Sequence, residues 1–208
     1  MTLSTFWLYL GAVVLLSCTP GPNVLYVTTR SIRFGFGASM IGMAGCLSAL
    51  AVMLTASVAG VSAFMLAVPA AFNTLKYAGA AYLVFLGIQA WRAPAADLAP
   101  FTASPRETTS RFALYRGGFL VGISNPKLLV FAAAFFPQFI APDAPWVPQF
   151  LLLVATFVAV EASTYVMLGL SARGLARYLE QARWQRRINR LSGVIFATFG
   201  CALLRYRP

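Results

Sequence analysis

The sequence predicts an all-α integral membrane protein of six transmembrane helices, arranged as a 3+3 inverted repeat with helices 1 and 4 broken. Three observations lead there: a composition too apolar for a water-soluble globule, six apolar runs long enough to span a bilayer, and Lys and Arg gathered in alternate connections. Of 208 residues, 60% are hydrophobic and 10% charged, with a mean hydropathy of +0.76. So little polar surface leaves lipid as the solvent. A spanning helix uses about 20 apolar residues, so the chain length holds one membrane domain and no second one.

The first run covers 4–29. No Lys or Arg precedes Arg30, whereas a secretory signal has a basic start, so residues 1–18 read as a retained helix although Leu15-Leu16-Ser17-Cys18 faintly resembles a lipoprotein cleavage site. Thr19-Pro20-Gly21-Pro22-Asn23 then breaks or kinks it, because proline removes a backbone donor and clashes with the preceding turn. Irregular backbone at membrane depth persists only where protein or a water-filled cavity satisfies it.

The second run, 39–67, and the third, 75–91, are uninterrupted by charge apart from Lys76. The fourth, 112–139, contains Asn125-Pro126, the order of a helix start: an N-cap side chain, then Pro at the first helical position. Thr19-Pro20 repeats that order. Gly42, Gly45, Gly118 and Gly122 let helices approach closely. The fifth run is 147–170 and the sixth 188–204. Between them, 171–190 interleaves Leu175, Tyr178, Leu179 and Trp184 with Arg and Glu, as a helix lying on headgroups or a charged loop. Residues 93–111, rich in Ala, Pro, Ser and Thr, read as a linker between repeat one, 1–92, and repeat two, 112–208.

Basic residues give direction, because Lys and Arg concentrate on the cytoplasmic side. Connection 1–2 holds Arg30 and Arg33, connection 3–4 holds Arg92, Arg106, Arg111 and Arg116, and connection 5–6 holds Arg173, Arg177, Arg183, Arg186, Arg187 and Arg190. The other side has Lys76, Arg205 and Arg207. Both termini are therefore expected outside the cytoplasm. The net charge of +11 is accounted for by topology and anionic lipid rather than nucleic acid.

The halves echo each other. Tyr9, Gly11 and Pro20 recur at one offset as Tyr115, Gly117 and Pro126, and Lys76, Gly79, Tyr82 and Phe85 recur at another as Arg190, Gly193, Phe196 and Phe199. Three helices per repeat force the second to enter from the opposite side, an architecture many secondary transporters use.

Two breaks at matching positions would present half-helix N-termini near mid-membrane, whose free N–H groups and positive dipole attract an anion such as an amino-acid carboxylate. Thr19, Pro20, Gly21, Pro22, Asn23, Asn125, Pro126 and Lys127 are thus candidate substrate-binding residues. The competing reading is a pair of packing kinks. Lys127 and Glu161 are charges within apolar runs, which are costly and default to function. Lys127 is a candidate to hold a carboxylate or neutralise Glu161, and Glu161 to bind an ammonium group or carry a coupling proton. Against that stands a structural ion pair.

Absence of His removes His-based triads and HExxH zinc sites, and no second buried carboxylate is evident for an aspartyl dyad, so an enzyme is not expected. Cys18, Cys46 and Cys201 lie in apolar runs without a CxxC pair, indicating neither disulfide nor metal site. No cofactor is implied, and the sequence permits a homo-oligomer without requiring one.

At Pro20-Gly21-Pro22-Asn23, at Lys76-Tyr77-Ala78-Gly79-Ala80-Ala81-Tyr82-Leu83 through Gly87, at Ser124-Asn125-Pro126-Lys127 and at Phe135-Phe136-Pro137-Gln138-Phe139, the sequence resembles the lysine exporter (LysE/RhtB) superfamily, in its homoserine/threonine exporter branch. The resemblance covers the whole chain and departs at Gly122, where many members carry Asn. It implies export of amino acids or close derivatives across the bacterial inner membrane, driven by exchange for protons. A channel, a scaffold, or a transporter of a metal cation are the alternatives. A single buried carboxylate and no His argue against the metal.

Overall fold

Helix starts are set by short polar side chains that take up the orphan N–H groups of a first turn. In the computed structural model, which describes residues 1–19, 21–67, 77, 80–81, 84–85, 87–89, 91–92, 110–141, 143–171 and 181–205, Thr2 Oγ1 accepts from Thr5 N at 3.2 Å and opens α1, Leu3–Cys18. Pro22 opens α2, Pro22–Phe34, which stops at Gly35, at a φ of 86° that glycine adopts without steric cost. The chain continues at once into α3, Phe36–Ala67. Described residues between 77 and 92 are helical. Ser110 Oγ accepts from Ala113 N at 3.1 Å to start α4, Arg111–Ile123.

After Ser124, Asn125 caps the short α5, Pro126–Val130. The helix then widens into a π turn, Phe131–Phe135, and tightens into a 3-10 turn, Phe136–Phe139. Pro137 accounts for the change of winding, since it lacks the N–H that the Ala133 carbonyl would take in a regular helix. Helices α6, Trp146–Leu170, and α7, Ala182–Arg205, complete the chain. No β-strand occurs among the described residues.

Phe36–Val58 of α3 and all of α6 are each long and apolar enough to cross a membrane. The pair α1 and α2, bent by 51°, counts as a third if it is one broken span. The apolar runs and the helices therefore differ in detail. Run 4–29 is two helices, run 112–139 is broken once and then changes winding twice, and run 188–204 belongs to the longer α7. Residues 182–190 are the first turns of α7 rather than part of a separate headgroup helix, because the helix runs on unbroken from Ala182. Residues 172–180, the linker from 93 to 109 and much of run 75–91 lie outside the described residues.

Two features of the packing position the site. The face of α4 bearing Gly118 and Gly122 meets α3 at Gly42, Gly45 and Ala49, so closely that a Cβ on Gly118 would strike the Gly42 carbonyl and one on Gly45 the Tyr115 carbonyl. Ser57 Oγ donates to the Ala132 carbonyl further along the same seam. On α6, Gln149, Leu153, Phe157, Glu161, Tyr165 and Gly169 form a buried stripe at every fourth residue, the spacing of one helical face. Leu151, Leu152, Met167 and Leu170 on other faces are exposed, an apolar exterior suited to lipid.

That stripe joins two cores. Leu153 and Phe157 pack with Tyr9, Leu54, Leu128, Phe131 and Phe136, while Tyr165 packs with Val24, Val27, Met43 and Cys46. Tyr9 keeps its hydroxyl satisfied by donating to Leu153 O at 2.9 Å, as a buried phenol must. Glu161 lies between the two cores on the stripe.

Candidate functional site

The two interruptions of the helices meet. Thr19 ends α1: its N–H reaches Leu16 O at 3.2 Å and its hydroxyl donates to Leu15 O at 2.8 Å. Thr19 is therefore the C-cap of α1 and not the N-cap expected from the Thr19-Pro20 order. With its hydroxyl committed to the preceding turn, the next helix starts at Gly21 and Pro22, two residues later. Pro20 lies outside the described residues. In the second half Asn125 does cap its helix, Oδ1 accepting from Lys127 N at 3.1 Å, with Pro126 at the first helical position.

From these ends the side chains converge. Asn125 Nδ2 donates to Asn23 Oδ1 at 3.1 Å, and Asn23 Nδ2 donates to the Tyr165 hydroxyl at 2.9 Å. All three residues are at most 3% exposed. The Tyr165 hydroxyl lies beside the carboxylate of Glu161, one turn earlier on the same face of α6. Glu161 is 2% exposed, and its Oε2 has no hydrogen-bond partner. A buried carboxylate oxygen without a donor is costly, and that cost marks the group as a candidate for function.

Lys127 is also buried, and its ammonium donates to Leu16 O at 2.9 Å and to Thr19 O at 3.0 Å. A cation there complements the negative end of α1. Lys127 and Glu161 feel each other's charge, yet the hydrogen bonds of the ammonium go to α1 and not to the carboxylate. The ammonium packs close to the start of α2: a Cβ on Gly21 would stand in ordinary contact with it, 3.5 Å from Lys127 Nζ.

Of the residues singled out in the sequence, Thr19, Gly21, Pro22, Asn23, Asn125, Pro126 and Lys127 thus belong to one junction, and Glu161 joins it through Tyr165. Sequence reasoning missed Tyr165. Its signal was present: it stands four residues after an intramembrane carboxylate, where side chains on a helix meet. The junction offers a buried carboxylate, a buried ammonium and two carboxamides, groups able to bind a small zwitterion and to hold or release a proton. Among the described residues no group of three or more His, Cys, Asp or Glu comes together to hold a metal ion.

The model of the LysE type translocator family matches residues 14–207. A homoserine/homoserine lactone efflux protein of Salmonella typhimurium is 33% identical over 208 residues, covering 100% of this chain and 99% of its own. An uncharacterized membrane protein of Vibrio cholerae is 37% identical over 202 residues, covering 95% of each chain. A leucine efflux protein of Salmonella choleraesuis is 28% identical over 201 residues, covering 95% of this chain and 93% of its own. No solved structure matches the chain.

Proposed function

From the premise that this chain belongs to the LysE type translocator family, we propose that it is a secondary transporter exporting amino acids or close derivatives from the cytoplasm in exchange for protons. The efflux of homoserine, its lactone and leucine named for the relatives supports small amino acids as the substrate class. The proposed setting is the bacterial inner membrane, with six crossings as inverted repeats 1–92 and 112–208 joined by the linker 93–111, and both termini outside the cytoplasm.

One observation carries the reading: Asn23 and Asn125, from the two helix interruptions, hydrogen-bond each other in the interior, with a buried carboxylate and a buried ammonium beside them. Packing kinks have no need to bring polar residues together at that depth, where unsatisfied polar groups are expensive. In the proposed cycle the substrate binds between the interruptions, at Thr19, Pro20, Gly21, Pro22, Asn23, Asn125, Pro126 and Lys127. Glu161 then takes the coupling proton or the substrate ammonium. Alternating access moves one repeat against the other around that point.

A scaffold or channel draws support from a different observation, the Lys127 ammonium held by backbone carbonyls of α1. Reconstituted vesicles separate the two. Vesicles are loaded with labelled homoserine or leucine, a pH gradient is imposed, and wild type is compared with Glu161→Gln. The transporter reading expects efflux that rises with the gradient in wild type and ignores it in the variant. Leak that is independent of the gradient in wild type, or no movement of either amino acid, defeats it.

A further inference from the structure

The hydrogen-bond chain through the site has a fixed direction. A backbone N–H can only donate, so the atom of Asn125 that faces Lys127 N must be its carbonyl oxygen. The amide nitrogen of Asn125 is then the donor toward Asn23, which must answer with Oδ1. Asn23 in turn has only its amide nitrogen left for the Tyr165 hydroxyl. Tyr165 therefore accepts from Asn23, and its single hydrogen is left for the neighbouring Glu161 carboxylate. The first turn of α5 thus orients every link as far as α6.

This order suits an ionised Glu161. When the carboxylate takes a proton, it becomes a weaker acceptor for the Tyr165 hydrogen and gains an O–H that competes as a donor for the phenol oxygen. Its bond to Asn23, the second residue of α2, then weakens. The groups facing Glu161 from the surrounding elements are few: Tyr165 on its own helix, Cys46 of α3, and Lys127 of α5. Helix α2 contributes the uncharged Asn23, and from α1 the Leu16 carbonyl accepts from Lys127 while Cys18 is the titratable group that acts on it. Among these Tyr165 reaches the start of α2 through its hydrogen bond with Asn23, whereas Lys127 donates to the end of α1.

We propose that Tyr165 is a positioning residue that transmits the protonation state of Glu161 to Asn23 at the start of α2, coupling the proton to the substrate site. The inference rests on the transporter reading above and names the residue by which its two ligands communicate.

The test uses the full chain in vesicles, with labelled homoserine and leucine as probes. Two activities are measured: efflux driven by a pH gradient, and exchange of labelled for unlabelled amino acid without one. Tyr165→Phe is expected to lower the ratio of driven efflux to exchange on the order of tenfold or more, the scale of one hydrogen bond to a charged group. Because Tyr165→Phe can fail to fold, 3-fluorotyrosine introduced at position 165 provides a second variant of nearly unchanged shape. It is expected to displace the pH midpoint of driven efflux. A wild-type ratio in Tyr165→Phe together with an unmoved midpoint in the fluorinated protein overturns the inference while leaving the transporter reading intact. Equal losses of driven efflux and exchange, with an unmoved midpoint, also overturn it. Failure of wild type to respond to the gradient instead removes the transporter reading beneath it.

Discussion

The Lys127 ammonium, 2.9 Å from Leu16 O and 3.0 Å from Thr19 O, closes the end of α1 with a charge carried by α5. Helix carbonyls at a C-terminus lack intrahelical donors, and in an apolar interior no water replaces them. Lys127 therefore has structural work whatever its part in transport.

Replacing it shows which part dominates. Lys127→Met keeps most of the aliphatic stem and leaves the Thr19 carbonyl without its ammonium donor, while Leu16 O keeps the Thr19 N–H, at a cost of about 1–3 kcal/mol. Thermal unfolding of the detergent-solubilised protein, without substrate, is expected to fall accordingly. An unchanged midpoint together with lost transport would assign Lys127 to the substrate alone.

The seam between α3 and α4 makes a sharper stability prediction. Gly118→Ala drives a methyl group against the Gly42 carbonyl, and backbone cannot move aside as a flexible side chain can. Overpacking of this kind costs about 1–3 kcal/mol. Gly11→Ala is the control, since nothing lies within 4 Å of the added carbon, and it is expected to stay within about 1 kcal/mol of wild type, toward greater stability. The same unfolding measurement reads both. If the two substitutions cost equally, the close approach of α3 and α4 is wrong.

These glycines were legible in the sequence as close-packing residues, because a helix interior tolerates them only for a reason. Their partners were not, since nothing local in Gly42 or Gly118 states which helix comes near. Asn125 was legible as a cap because a short polar side chain before proline has one favoured use. Thr19-Pro20 misled for the same reason, as two prolines two residues apart both fit a helix start. The choice fell to a hydroxyl bonded back to Leu15. The turn Phe131–Phe135 gave no warning of its own, because Phe-Ala-Ala-Ala-Phe is ordinary helix sequence and its π winding traces to Pro137 further along. The charges Lys127 and Glu161 stood out by their cost in lipid, whereas Tyr165 passed as one more aromatic in an apolar run.

Gln149 carries a local prediction. Its Oε1 accepts from Ala141 N at 2.9 Å, and its Nε2 lies 3.1 Å from Ala141 O, 3.2 Å from Ala144 O and 3.1 Å from Pro145 O. One side chain thus ties the turn before α6 to the helix. Gln149→Leu leaves the Ala141 amide without its acceptor, at about 1–3 kcal/mol, and hydrogen exchange at that amide is expected to accelerate while exchange in α3 keeps its rate. Uniform acceleration across the chain would mean that the residue supports the whole fold rather than the turn.

Sidedness remains the most consequential property to measure, because the inverted repeat requires that the segment from α4 to the turn Phe136–Phe139 cross the membrane. Residues 111 to 139, at about 1.5 Å per residue, exceed a hydrocarbon core of about 30 Å even when bent. Ser110 and Asp143 flank this segment and are both exposed. With Cys18, Cys46 and Cys201 replaced by Ala, a single Asp143→Cys is expected to react with a membrane-impermeant maleimide in intact cells. Ser110→Cys should react only after permeabilisation, in keeping with the cytoplasmic side proposed for Arg111 and Arg116. The opposite pattern would invert the orientation derived from charge. Reaction of both from one side would turn the segment into a re-entrant loop, and the 3+3 arrangement would fall with it.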